Sequence, residues 1–393
     1  MPRSKRAEFP PPALIARSAD LADLCSRLAA EAFVTVDTEF MRERTFWPEL
    51  CVVQVGGSAE TAVIDALAPG LDLAPLGALL ADPAVLKVFH AARQDIEIFL
   101  LRFGAVPTPL FDTQIAAMVA GFGDQVGYDA LVAALAGGQI DKAHRFSDWA
   151  ARPLSPDQLT YAAADVTHLR GVYESLRTRL ERDGRLDWVA EEMAALADPA
   201  TYRPDPESLW ERLRPRTGNR RMLGVLRAIA AWREREAQRA NIPRNRMLKD
   251  ETLLEIAATM PATPEALARA RGISRGFAEG RVGASLLAAI AEAKALPEEV
   301  LPMPERGRNG PRPSPALISL LKVLLAAKCE QNHVAARLVA SSEDIERLAA
   351  EEEPNVPALH GWRRDVFGAD ALALKEGRIG LGVEGRRIRL LAL

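Results

Sequence analysis

Cysteine is scarce in this 393-residue chain, and long apolar runs are missing. Its three cysteines, Cys25, Cys51 and Cys329, lie far apart with no CxxC pair. That spacing argues against a disulfide framework or a structural zinc site and fits a reducing, cytoplasmic setting. The longest apolar stretch, residues 317–327, is interrupted by Lys322 and too short to span a bilayer, so no membrane role is expected. Residues 1–12 are basic and proline-rich, without the apolar segment of a secretory signal. No GxGxxG, P-loop or Ser/His/Asp arrangement stands out.

Net charge is small as well, at -3, but it is unevenly spread. Residues 1–200 hold 18 Lys+Arg against 28 Asp+Glu; residues 201–290 hold 17 against 10; residues 291–393 hold 15 of each. One middle segment carries all the basic excess. Such asymmetry suggests a nucleic-acid contact beside an acidic module; a solvated basic helical surface explains it equally well.

Residues 33–40, 50–55, 61–65 and 85–89 are rich in β-branched residues and read as strands, the first three close enough for a meander. Helical patterns follow at 94–103, 113–120, 128–135, 156–182 and 186–196. This succession makes an α/β or α+β domain over residues 1–200. Two prolines in 201–208 mark one linker, and six prolines in 297–315 mark a second. Amphipathic helices at 222–238, 251–259, 316–329 and 343–352 make two all-helical modules, over 207–295 and 312–393, related by a loose similarity of spacing; beyond residue 200 only 386–391 has a strand-like pattern.

What is present is an ordered set of carboxylates. Asp37 and Glu39 alternate on the first of these strands and so project from one face, in a segment otherwise built for burial. Buried carboxylates are costly unless paired or metal-bound, although an edge strand could solvate both. Asp95 falls in the first turn of a helix, where the helix dipole alone would favour it. Tyr161 and Asp165 share one face of a later helix, separated by three alanines that permit close approach; a core Tyr bonded to a helical Asp is the plainer alternative.

Taken in order, DTEF (37–40), HAARQDIE (90–97) and YAAAD (161–165) resemble the three exonuclease motifs of the DEDD superfamily, Tyr subclass. The stretches DTEFMRERTFWPEL, FDTQIAAMVAGF, DWAARPLS and YAAADVTHL are similar to the ribonuclease D family. WREREAQRANIPRN and GISRGFAEGRVG resemble its helicase-and-ribonuclease-D C-terminal (HRDC) module, and HGWRRDVFG is a fainter echo of a second one. The resemblance implies an RNase H-like exonuclease domain, a mixed sheet flanked by helices, followed by two all-α HRDC-like domains. It implies Asp37, Glu39, Asp95 and Asp165 as ligands of two divalent cations, and Tyr161 as the residue that orients the attacking water. A histidine subclass would carry its histidine at position 160, which is Thr160 here.

An all-carboxylate site is hard and suits Mg²⁺ or Mn²⁺ rather than Zn²⁺. Negative charge grows at phosphorus during attack, so cations count more in the transition state than in the ground state. The expected activity is 3′→5′ exoribonuclease release of 5′-mononucleotides, with tRNA precursors or other structured RNA as substrate and a monomeric enzyme. A DNA exonuclease and a non-catalytic RNA-binding protein are the alternatives.

Further candidates are Phe40, His90 and Gln94 at the 3′-terminal nucleotide, and Arg44 and Trp47 for phosphate and base. Lys142, His144 and Arg145 form a loop near the site, and Asp112 reads as a helix N-cap. Each also has a plain structural reading: a core Phe, a strand-end His, a helix-start Gln, a solvated Arg or a packed Trp. Arg212, Arg214, Arg216, Arg220, Arg221, Arg233, Arg235, Arg239, Arg244 and Arg246 supply the basic surface expected to hold phosphates.

Overall fold

A computed structural model describes residues 12–141, 143–215, 217–303 and 313–393, so Lys142 and Arg216 lie outside the described residues. The described residues form two compact units. One holds the chain up to Phe40, Leu50–Pro199, and the C-terminal residues from 313; the other holds Met41–Glu49 and the described part of Ala200–Asn309. The stretches 1–200, 207–295 and 312–393 therefore do not map one to one onto compact units.

The first unit contains a six-stranded sheet made of β1 (Ala13–Ile15), β2 (Phe33–Met41), β3 (Glu49–Gly56), β4 (Thr61–Asp65), β5 (Leu86–Phe89) and β6 (Leu110–Asp112). Its order is β1-β4-β3-β2-β5-β6. β3 and β4 are antiparallel, with Val53 opposite Ile64, whereas β2, β5 and β6 run parallel and β1 is parallel to β4. Residues 33–36, 51–56 and 62–64 are buried nearly without break because helices cover both faces. The helices are α1 (Ser18–Leu28), α2 (Ala74–Ala81), α3 (Arg93–Phe103), α4 (Thr113–Val119), α5 (Tyr128–Leu131), α6 (Pro156–Arg182) and α7 (Leu186–Ala197).

Two helices position the site. Pro156 at the first turn and a Ser155/Gln158 capping box fix the start of α6. Below it, Thr35 of β2 donates its hydroxyl to the Val166 carbonyl at 2.7 Å, locking α6 to that face of the sheet. Phe89 of β5 packs on Phe99 of α3 at 6.2 Å. Thr35 and Val88 are register partners and share a face, so Phe89 and α3 lie on the opposite one.

The C-terminal residues pack on this unit. Trp362 stacks on Trp188 of α7 with ring centroids 4.4 Å apart, and Arg363 donates to both Glu191 and Glu192. Arg185 donates to the carbonyls of Val119 and His333, each at 3.0 Å, and the Ala335 amide donates to the Met118 carbonyl. Gly121 permits this approach: its φ is +84°, and a Cβ there would sit 2.6 Å from the His333 carbonyl oxygen. The segment is not all-helical as expected. It ends in an antiparallel hairpin, Ile379–Glu384 with Arg387–Ala392, turning at Gly385. The alternation of apolar residues with Gly or Arg across 379–391 suits a hairpin with one face on the helices.

The second unit is built on α8 (Arg220–Ala240), which packs against Asp250–Thr259 and Arg281–Ala295 around Leu226, Ile229 and Trp232. Met41–Glu49 joins it through Asn241. That side chain accepts from the Phe46 and Trp47 amides at 3.1 and 3.0 Å, while Arg244 lies over the Phe46 ring. Among the described residues no helix is long and apolar enough to cross a membrane.

Candidate active site

β2 and α6 bring three of the four expected carboxylates together. Each of Asp37, Glu39 and Asp165 offers an oxygen within 4.8 Å of the others. Asp37 and Glu39 are half-buried and Asp165 is 8% exposed. Asp95, in the first turn of α3 and 7% exposed, stands outside that triplet and accepts from the Thr38 hydroxyl. It still belongs to the same electrostatic cluster, because its charge is felt at Glu39 and that of Asp37 is felt at Asp95.

Crowding sets the protonation behaviour. Burial, then the neighbouring carboxylates, push Glu39 up to about 10. Burial pushes Asp165 up to about 7, and burial followed by carboxylate neighbours holds Asp37 and Asp95 well above the usual range. Like charges this close cannot all ionise unless positive charge joins them. The donor set is all oxygen, as Mg²⁺ or Mn²⁺ requires, so the residues fit the divalent cations that the motifs imply.

Tyr161 lies one turn before Asp165 on α6. Burial, then Asp165 and Glu39, raise its pKa, so the phenol keeps its proton at neutral pH. It faces Trp149 and His144, with centroids 6.0 and 6.3 Å away. Arg145 is exposed and close enough for its charge to act on Tyr161.

His90 bonds Thr113 through Nδ1 at 3.0 Å, and burial lowers its pKa. Phe40 is half-buried next to Glu39, and Gln94 is exposed at the start of α3 beside Asp95. Arg44 and Trp47 belong to Met41–Glu49, the segment grouped with the helical unit. Asp112 does more than cap α4. Besides the Gln114 and Ile115 amides it accepts from those of Ala91, at φ +58°, and Ala92, which shapes the turn ahead of Asp95.

Four supporting residues escaped sequence reasoning. Thr38 was hidden between the two acids, and Tyr128 donates its hydroxyl to the Asp165 carbonyl. Trp149 packs on Tyr161, and Phe146 is 92% exposed under the Arg145 guanidinium. A Phe in a polar loop was the one legible signal among them.

A 3′-5′ exonuclease family model matches residues 12–181, and an HRDC domain model matches 222–290. Ribonuclease D of Granulibacter bethesdensis is 72% identical over 392 residues, covering 100% of this chain and 99% of the relative. Ribonuclease D of Gluconacetobacter diazotrophicus is 68% identical over 389 residues and 99% of each chain. The chain belongs to the ribonuclease D family. It is a 3′→5′ exoribonuclease. The crystal structure of Escherichia coli RNase D superposes with a TM-score of 0.81 at 31% identity, covering 93% of this chain and 99% of that one. In this chain the exonuclease model spans all five motif residues, and the HRDC model falls inside the basic middle segment.

Proposed function

We propose that Asp37, Glu39, Asp95 and Asp165 hold two divalent cations, Mg²⁺ or Mn²⁺, and that Tyr161 orients the attacking water at an RNA 3′ end. The convergence of Asp37, Glu39 and Asp165 oxygens within 4.8 Å carries this reading. Bound there, the cations would supply positive charge to the phosphoryl and leaving 3′ oxygens. The Tyr161 hydroxyl, kept protonated, orients water by hydrogen bonding and does not act as a base. Thr38 and Asp112 fix Asp95 and the turn before it, and Tyr128 fixes the backbone of Asp165.

Phe40, His90, Gln94 and Arg145 contact the terminal nucleotides, with Phe146 offering a ring for a base to stack on. Arg44 meets RNA from the helical unit. That unit also contains a cavity of about 480 Å³ lined by Arg42, Arg212, Arg233 and Arg244 with Glu234 and Asp250. The substrate is structured RNA with a 3′ tail, of which tRNA precursors are the expected class; the E. coli relative is described as acting in structured RNA processing. The C-terminal module is a second, diverged HRDC-like domain that braces the exonuclease fold. The enzyme works as a cytoplasmic monomer, in keeping with three buried free thiols.

Matched RNA and DNA strands, incubated with Mn²⁺ and resolved by chromatography, test the substrate class. Release of 5′-mononucleotides from RNA at the higher rate is expected. Faster digestion of DNA would overturn the RNA assignment.

A further inference from the structure

Gln54 of β3 is wholly buried, and neither its amide oxygen nor its amide nitrogen has a hydrogen-bond partner among the described residues. An unpaired amide in an interior is costly and uncommon. An apolar residue of the same shape would serve the core better, so this Gln needs a reason.

Its position supplies one. Residues 52, 54 and 56 of β3 face the same way. A Cβ on Gly56 would meet Thr35 Oγ1 and the Val166 backbone, so that face is the one covered by α6. Thr35 donates to Val166 there and reaches the Gly56 carbonyl at 3.3 Å. β2 and β3 are neighbours joined only by residues 42–48, too short for a parallel crossover, which needs about a dozen residues or more. The pair is therefore antiparallel. Counting two residues each way from the approach of Thr35 to Gly56 sets Gln54 level with Asp37, on the face where Asp37, Glu39 and Asp165 converge. The Trp149 indole N–H, buried and likewise without a partner, packs by its ring on Tyr161 of the same cluster.

We infer that Gln54 is a positioning residue whose amide NH₂ donates to the Asp37 carboxylate when divalent cations are held there. An ionised carboxylate has about four acceptor sites, and those not taken by cations need donors to fix its orientation. Hydrogen bonds of this kind commonly close only when the catalytic assembly is complete. The inference rests on the nuclease reading above but is tested apart from it.

The full-length chain and its Gln54→Leu and Gln54→Met variants are compared in three ways: melting temperature in EDTA, melting-temperature shift on titration with Mn²⁺, and kcat and KM on a short single-stranded oligoribonucleotide. Removing the orphaned amide should leave the EDTA melting temperature unchanged or raise it. The half-saturating Mn²⁺ concentration should rise, and kcat fall, by about tenfold or more, the range seen when a residue that orients a metal ligand is removed. KM should stay within about twofold, because the interaction acts on the reacting centre. Native-like Mn²⁺ dependence would overturn the inference, and so would a kinetic loss accompanied by a lower EDTA melting temperature. An inactive native chain would instead contradict the nuclease reading, while the Mn²⁺ titration would still decide the role of Gln54.

Discussion

Glu39 and Asp165 show what crowding does to a carboxylate. In the folded chain their pKa values rise to about 10 and about 7, whereas an unfolded chain ionises them near about 4. Below about pH 4 both states hold these protons and the groups contribute nothing. Above it the folded state keeps protons that the unfolded state has released, so stability falls as pH rises, to about 7 for Asp165 and on towards about 10 for Glu39. The melting temperature in EDTA should therefore drop between pH 5 and 8, and the Glu39→Gln variant should show a shallower fall. Mn²⁺ should raise the melting temperature more at pH 8 than at pH 5. An EDTA profile that rises across this range in the native chain and is unchanged in the variant would contradict the clustering. Order in sequence and alternation on a strand made these acids legible. Thr38 and Gln54 were not, because a lone polar residue in an apolar strand looks the same whether it serves a site or not.

Among the elements, the turn before α3 depends most on one side chain. Asp112 accepts from the amides of Ala91 and Ala92 as well as from those of α4. Asp112→Ala leaves those amides without an acceptor and should cost about 1–3 kcal/mol in urea unfolding. It should also lower activity by disturbing the approach to Asp95; unchanged stability would show that the clamp contributes little. The start of helix α6 was readable, because Pro156 and the Ser155/Gln158 pair are strong local signals. β1 and β6 are three residues each, too short to show a period, and only pairing with β4 and β5 makes them strands. α1 lies outside the expected helices although Leu21, Leu24 and Leu28 follow helical spacing. The C-terminal hairpin was legible only in its last strand.

Across the molecule, charge proves to be only partly free to act. Many arginines of the basic middle segment are engaged: Arg220 and Arg221 donate to carbonyls of Glu298, Leu301 and Leu296, while Arg233 and Arg244 pair with Asp250 and Glu234. Among the described residues, Arg212, Arg214 and Arg246 make no such bonds and remain best placed for phosphates. Reversing Arg212 and Arg246 to Glu should weaken binding to structured RNA and lower the slope of log Kd against log salt by about one for each phosphate no longer neutralised. Hydrolysis of a short single strand should be little affected, and equal losses on both substrates would count against a separate binding surface. Charge reversal is cleaner than deleting everything after residue 200, since the deletion would also strip the Trp362 stack and the Arg363 ion pairs from α7. The neutral C-terminal charge balance accords with that bracing role.

The central claim is that the carboxylate cluster removes nucleotides from RNA 3′ ends with divalent cations. Its most direct test is a time course on 5′-labelled single-stranded RNA, resolved to single nucleotides, for the native chain and Asp37→Asn. The native chain with Mn²⁺ should produce a ladder shortening from the 3′ end and none in EDTA. The variant should be slower by well over about a hundredfold, since even residues that only orient metal ligands cost about 10–100-fold when removed. Shortening that persists in EDTA, or an Asp37→Asn chain as fast as the native one, would contradict the account.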